Sequence, residues 1–565
     1  MDAVGVPLPP GLADVFLEAT DRPLFELLRR YARTHGPFTT ADAASRFGVA
    51  PAQIEPVLRQ LHATGKLLEG EFRPEGVHRE WCDPDVLQQV RRKTLARLRR
   101  EVVPAEQHTF VRLLTRWQGV AVPRRGLDAL LDTIEILQGA ALPASELERE
   151  ILPARVLDYS PNDLDALMAS GHVVWIGREP LGDRDGRIAL YLADALPGLL
   201  PPTSAPELAP APVVGQIANL RPIANRPSER SSDLSERAQS IAAALHQLGA
   251  SFFAPLHQAS GGGFPGDTQA ALWELVWAGI VTNDTLHPLR NLLYAKDAER
   301  PRRELRAGPP GSPEFLRRFR ARTGGSHAAE GRWSLVAQRV ATPVTPTEWS
   351  ANIVRQLLAR HPIVMRETAI AENIPGGYPV LYPVLRSMEE NGAIRRGMFV
   401  AGMGAAQFAH PSAIDMLRAL RTEPEPPEAL HLAACDPANP YGSLLPWPGE
   451  NHGMSRTAGS SVVLINGQLA AFLRRRNPAI RVLLPENEPE RTRFARRLAR
   501  TLAEVAIRRQ TRRSGLLIGE INDAPARDHF LARFLEEAGF IPSPLGLQMR
   551  HIQEPTESEP EPEAT

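Results

Sequence analysis

ATGKLLEGEF (63–72) and ENGAIRRGMF (390–399) share a frame of Gly, an apolar residue, Gly and Phe, 327 residues apart. Sliding the sequence by that shift brings PVLR at 56–59 onto PVLR at 383–386. It also brings Gly65 onto Gly392, Gly70 onto Gly397 and Phe72 onto Phe399. Trp81 then falls on Phe408, Pro84 on Pro411 and Arg91 on Arg418. From residue 32 to residue 91 no gap is needed, and 12 of these 60 positions are identical. Glycines and aromatics kept together over that length predict a duplicated domain.

In the first copy Leu24, Leu27, Leu28 and Tyr31 recur at helical spacing. PFT (37–39) leans toward a strand, and TADAASRFGV (40–49) reads as a helix entered through a Thr cap. PAQIEPVLRQLHATG puts Ile54, Val57, Leu58 and Leu61 on one stripe and ends at Gly65. LLEGEF and REWCDP then make two short strands. Helix, short strand, two helices and a two-stranded wing is a winged helix. The second copy repeats it, and both wings run through a Pro into a new helix (PDVLQQVRR, PSAIDMLRAL). Looser versions of the helix-to-strand ending occur at LDALMASGHVVWIG (164–177) and LWELVWAGIVTND (272–284).

The expected fold class is mainly α with α+β: tandem winged helices followed by a C-terminal α/β barrel-like module. The expected order is winged helices at 1–100 and 101–196, a Pro-rich linker at 197–232, and a third winged unit at 233–298. An Arg-rich connector at 299–345, a fourth winged helix at 346–422, the module at 436–552 and a disordered acidic tail at 553–565 complete it. In the module, SVVLINGQLAAFL (461–473) reads as a hairpin whose Asn466-Gly467 suits a type I′ turn.

Lys+Arg and Asp+Glu each total 65, so no global basic field exists and nucleic-acid binding must come from local patches. Only three cations are Lys, an Arg bias expected of a GC-rich bacterial genome. Cys82 and Cys435 form no CxxC, which excludes Cys-based zinc sites and disulfide scaffolds and fits a reducing compartment. No basic-then-apolar leader and no run of 18 apolar residues occurs, so a cytoplasmic, nucleoid-associated protein with no membrane span is expected.

No GxxxxGK[ST] is present, so no triphosphate-gripping loop and no motor are expected; nor do HExxH, GxSxG or metal-spaced histidines occur. GGGFPGD (261–267) enters a helix, with Asp267 as its expected cap; Asp267 and Asp284 are the carboxylates proposed for any catalysis. The expected DNA-binding residues are Arg59 and Arg386, which share one place on the third helix of the repeat. Arg395 and Arg396 on the second wing, and Arg474, Arg475 and Arg476 after the hairpin, complete the set. From Arg474 to Arg513 there are 13 Arg and 4 Glu.

HREWCDPDVL (78–87), WQGV (117–120), LPARVLDYSP (152–161) and LWELVWAGIVTNDTLHPLR (272–290) resemble the C-terminal region of the large helicase-related family. So do GRWSLV (331–336), IPGGYPVLYPVLRSMEENG (374–392) and DPANPYGSLLPWP (436–448), the resemblance running from about residue 20 to residue 550. It implies a non-motor, DNA-binding repair region. ATP and Mg would belong to a helicase core outside this sequence. The implied partners are single-stranded or damaged DNA, a separate core and further copies of the chain. Such arrays are in turn similar to helix-turn-helix alkylpurine DNA glycosylases, which use a Gln-Φ-Gln or Gln-Φ-Asp motif. Here QIA (216–218), QFA (407–409) and QLA (468–470) each end in Ala, so no catalytic residue is carried over. A base-excising glycosylase and a protein-interaction scaffold are the alternatives.

Overall fold

The computed structural model describes residues 21–73, 79–100, 103–202, 234–294, 330–340, 344–404, 406–449, 453–510 and 515–549. The acidic tail, linker residues 203–232 and connector residues 299–329 lie outside them. Two compact units divide the chain, Met1–Val103 and Pro104–Thr565.

The first unit is a winged helix. Helices Pro23–Thr34, Thr40–Phe47 and Pro51–Ala63 bury Leu28, Ala43, Ile54, Leu58 and Leu61 against Trp81. Thr39 caps the second helix, accepting from the Asp42 amide at 3.1 Å while the Asp42 carboxylate accepts from Thr39 N at 2.8 Å. Strands Leu68–Gly70 and Glu80–Cys82 form the wing, and Phe38 bridges Trp81 alongside it.

The fourth winged helix lies in the second unit and reproduces this design. Its third helix, Tyr378–Glu390, is Pro51–Ala63 shifted by 327, and PVLR is helical in both. The wing pairs Arg395 with Ala409 as Leu68 pairs with Cys82. Each third helix closes alike: Lys66 N donates to Leu61 O and Ala393 N to Met388 O, both at 2.9 Å, around Gly65 (φ +70°) and Gly392 (φ +79°). A methyl on Gly70 would stand 3.1 Å from the Phe72 ring, and one on Gly397 2.9 Å from the Phe399 ring. The Gly-X-Phe frame therefore exists because the ring folds back over the glycine two residues earlier.

The ungapped register expected from residue 32 is corrected ahead of the third helix. Phe38 bridges Trp81, whereas Val364 faces Phe408, a shift of 326. The caps His35 and His361 keep that shift. The second copy has one more residue in the turn before its third helix, where Gly376 and Gly377 both take left-handed φ.

Between the two copies, helices Gln107–Trp117, Leu127–Leu137 and Pro161–Ala169 accompany a sheet of Leu142–Pro143, Asp185–Leu192 and Val173–Leu181, in that spatial order. Helices Glu236–Leu248, Phe253–Ala259 and Pro265–Trp277 then lead to strand Val281–Asn283. Its partner is Trp333–Leu335, so residues expected in the connector supply the third unit's second wing strand. Trp333 is buried there and could not have stood in solvent.

The C-terminal module is α/β but not a barrel. Its first sheet orders Ala429–Ala433, Ser460–Ile465, Gln468–Arg474, Ala479–Val482, Glu520–Ile521 and Ala524–Pro525, and among the described residues its two end strands do not pair with each other. Leu516–Ile518 joins Gly546–Met549 and Ile541–Ser543 in a separate sheet, which leaves the first one open. Asn466 (φ +48°) and Gly467 (φ +82°) make the expected left-handed two-residue turn. That tip seats on helix Gln107–Trp117, so closely that a methyl on Gly467 would collide with the His108 carbonyl. Among the described residues no helix is long and apolar enough to cross a membrane.

Some of the segments that carried the family resemblance supply residues to two ion-pair networks, one buried at Arg155–Asp436 and one half-buried around Arg290. Arg155 holds Asp436 bidentately at 2.7 and 2.8 Å, both side chains 1% exposed, and reaches Gln118 at 2.8 Å. Arg290 donates to Glu148 at 2.7 and 2.8 Å and to Asp165 at 2.6 Å, and Tyr159 donates to the same Glu148 at 2.7 Å. Breaking such pairs strands a charge in the interior. Arg155, Asp436, Tyr159 and Arg290 thus tie parts of the second unit together.

Candidate nucleic-acid interface

Each of the three helices that follow a helix-turn in the first, third and fourth winged units starts with Pro at its first or second position. There the missing N–H costs nothing and φ is already helical. The buried stripes (Ile54 and Leu58; Leu381 and Leu385) fix which face turns outward. On that outward face stand Arg59 and Arg386, with side chains 73% and 63% exposed.

Both arginines are steered by their own helix. Arg59 donates to Glu55, one turn back, at 2.9 Å, and Arg386 to Glu390, one turn ahead, at 2.9 Å. Such exposed pairs are worth only about 0.3–0.5 kcal/mol, so an incoming phosphate can displace the carboxylate. Arg59 also borders an open hollow of about 450 Å³ with Pro51, Ala52, Glu55 and Pro56.

The wings differ. Arg396 lies over Tyr382 and Phe408 (6.0 and 5.8 Å to the ring centres) and donates to the Tyr382 hydroxyl at 3.3 Å. Arg395, half-buried, pairs with Ala409 across the strands. Their counterparts in the first wing are Leu68 and Glu69, and Glu69 accepts from Arg79 at 3.1 Å. Tyr378, at the start of the fourth unit's third helix, is pushed up to about 12 by burial and by neighbouring Tyr382, and stays neutral.

The three arginines of the Arg474–Arg476 run, expected together as DNA-binding residues, have different surroundings. Arg474 is exposed and donates to the Gly453 carbonyl. Arg475 turns inward to buried Glu146 at 2.5 Å, and burial raises that carboxyl's pKa against the pull of Arg475. Arg476 is exposed in a left-handed turn at φ +62°. A strand alternates sides, and a turn re-aims the next side chains, so adjacency in sequence does not make adjacency in space.

Of the two carboxylates proposed for catalysis, Asp284 is held by a neighbouring arginine and Asp267 is not. Asp284 accepts from Arg332 N at 2.7 Å and Arg332 Nε at 2.8 Å, pinning the third wing. Asp267 is exposed in the first turn of Pro265–Trp277 but does not cap it; the cap position is Phe264.

The QFA string also resolves. Gln407 is fully buried, accepts from Phe399 N at 2.8 Å and Val400 N at 2.9 Å, and donates to Val400 O at 3.0 Å and Gly404 O at 3.1 Å. It locks the wing. At the same 327 shift Glu80, 1% exposed, accepts from Phe72 N and Arg73 N at 3.0 Å, and from the Arg73 guanidinium. Sequence reading missed this pair, though both are polar residues in otherwise apolar strands at equivalent positions. Among the described residues no group of three or more His, Cys, Asp or Glu is arranged to hold a metal ion.

Residues 105–193 and 343–429 match the family described as "Large helicase-related protein, winged-helix domain". The second and fourth units are therefore winged-helix domains of that kind. The chain is 37% identical over 483 residues to the "Lhr helicase/ probable uracil glycosylase" of Mycolicibacterium smegmatis, covering 84% of this chain and 30% of that protein. It is 34% identical over 574 residues to the "Lhr helicase/uracil glycosylase" of Escherichia coli, covering 97% of this chain and 35% of that protein. It thus spans about a third of the length of these curated relatives. The DNA glycosylase AlkZ of Streptomyces sahachiroi aligns over 74% of this chain and 100% of its own, at 14% identity and a TM-score of 0.44.

Proposed function

We propose that this array of large helicase-related winged helices is the DNA-binding, non-motor C-terminal region of an Lhr-type repair helicase. One observation carries the reading: two copies of a winged helix present an arginine, Arg59 and Arg386, at the same exposed position of the third helix. That is the helix through which helix-turn-helix domains meet DNA. Exposed guanidinium groups neutralise phosphates and release counterions, which gives affinity without sequence preference. ATP and Mg would act in a helicase core, attached or separate, and the protein would work in the cytoplasm at the nucleoid. Single-stranded or damaged DNA is the proposed partner, with self-association through the array as a further property.

The test is titration of labelled single-stranded and duplex DNA with the chain, in the absence of nucleotide. Saturable binding is expected, with no ATP hydrolysis. Absence of binding at low salt would sink the proposal.

A second reading, base excision, is favoured by the names of both relatives, which pair a helicase with a uracil glycosylase. Its check is incubation with a uracil-containing strand followed by alkaline cleavage of abasic sites. Breaks in the uracil strand, and none in its thymine control, would establish it. Since Asp284 is committed to Arg332, an Asp284→Asn variant should then retain its chemistry as long as the third wing stays folded.

A further inference from the structure

The long helix Glu490–Gln510 and the short helix Ala532–Glu537 pack together in the C-terminal module and bring arginines onto phenylalanine rings. The Arg491 guanidinium lies 4.2 Å from the centre of Phe530, and Arg533 lies 4.5 Å from the centres of both Phe530 and Phe534. Arg496 stands 5.7 Å from Phe534 and, unlike the other two, has a carboxylate nearby, Glu537 at 3.9 Å, an exposed pair that a phosphate can displace. The two rings are 5.4 Å apart, and Phe530 remains half-exposed.

Arg491 and Arg533 share one ring, so their charges are no more than about 9 Å apart. Among the described residues neither forms an ion pair with a carboxylate. This differs from Arg59 and Arg386, whose donors are partly spent on a glutamate. An aromatic face holds a guanidinium by its quadrupole and consumes none of the N–H donors, which stay in a fixed planar fork. Two like charges held close, with donors free, are relieved by an anion with several oxygens. A phosphodiester chain supplies such groups in series, and Arg500 is exposed one turn beyond Arg496 on the same helix.

We propose that the Arg491–Phe530–Arg533 stack, extended by Phe534 and Arg496, is a second DNA contact that grips the phosphodiester backbone. This rests on the reading that the chain binds DNA, and it places a grip on the C-terminal module, apart from the winged helices.

The experiment is fluorescence anisotropy of a labelled DNA strand with the full chain across a salt series. Arg491→Gln/Arg533→Gln should weaken binding roughly fivefold or more and make the slope of log affinity against log salt shallower by about 2 units. Phe530→Leu removes no charge, so a merely electrostatic surface would be indifferent to it. Here it should weaken binding a few-fold, and Phe530→Tyr should restore it. Circular dichroism melts identify any variant that loses its fold; Arg491→Lys/Arg533→Lys keeps the charge and should fall between the wild type and the Gln pair. If the wild type binds DNA while the Gln pair keeps its affinity and slope, the proposal is overturned and the winged-helix reading stands. If the wild type binds no DNA, both fall.

Discussion

The first and fourth winged helices are the same device in two settings. In each, a polar side chain reaches across the wing to hold two successive backbone amides, Glu80 in one and Gln407 in the other. The first wing uses a carboxylate because Arg73, half-exposed, can balance it. The fourth wing has no such cation at the equivalent position: Arg73 is replaced by Val400, which is fully buried and bridges Ala105. A charge there would have two carbonyls for neighbours, so a neutral amide that both donates and accepts serves instead. Repetition preserves the geometry of a fold, and the surroundings decide its chemistry.

Exchanging the two clamps breaks this comparison most severely. Gln407→Glu buries a carboxylate against Val400 O and Gly404 O, and should destabilise the fourth wing by about 3–5 kcal/mol. Hydrogen exchange at the Phe399 and Val400 amides would report it as lost protection. Unchanged protection would mean that the wing admits water.

A smaller contrast lies in the glycines. Gly397→Ala drives a methyl to 2.9 Å from the Phe399 ring, which is 1% exposed and has nowhere to go; a loss of about 1–3 kcal/mol is expected. Gly70→Ala meets the half-exposed Phe72 ring, which can swing outward, so its loss should be under half as large. Equal losses measured by denaturant titration would contradict the difference in setting.

Glu80→Gln should be milder still, raising exchange of the Phe72 and Arg73 amides by less than about tenfold, since an ion pair with a half-exposed partner is screened. Acid gives the complementary test. Burial opposes ionisation of Glu80, but Arg73 and the two amides outweigh it and hold the carboxyl below its ordinary value. Its contribution is therefore present above the unfolded-state pKa and is lost as pH falls through the folded one. The first wing should loosen in acid before the fourth, whose clamp does not titrate.

Much of the fold was legible because its signals are local. Gly65 and Gly392 end helices, and Gly70 and Gly397 lie under a phenylalanine, so each demand is met within a few residues of sequence. The third unit's wing was not legible, because Val281–Asn283 pairs with Trp333–Leu335 across some fifty residues. The C-terminal module was legible as α/β, but its open sheet was not, because strand order there depends on pairings that no short window contains. Of the candidate site, Arg59 and Arg386 could be placed because helical periodicity fixes a face. Arg475 could not, since only the fold reveals Glu146 beneath it. Nor could the Arg491–Phe530 stack, whose partners lie far apart in the sequence.

The smallest expected effects on stability accompany the largest functional claim. Arg59→Ala and Arg386→Ala should each change stability by less than about 0.5 kcal/mol, because both side chains are exposed. Their combined effect on DNA binding tests the account most directly. In anisotropy titrations between about 50 and 200 mM salt, the wild-type affinity should fall by at least roughly tenfold, and the double variant should bind more weakly with a slope shallower by about 2. A double variant with wild-type affinity and slope would show that DNA does not meet the third helices of the repeated winged helix.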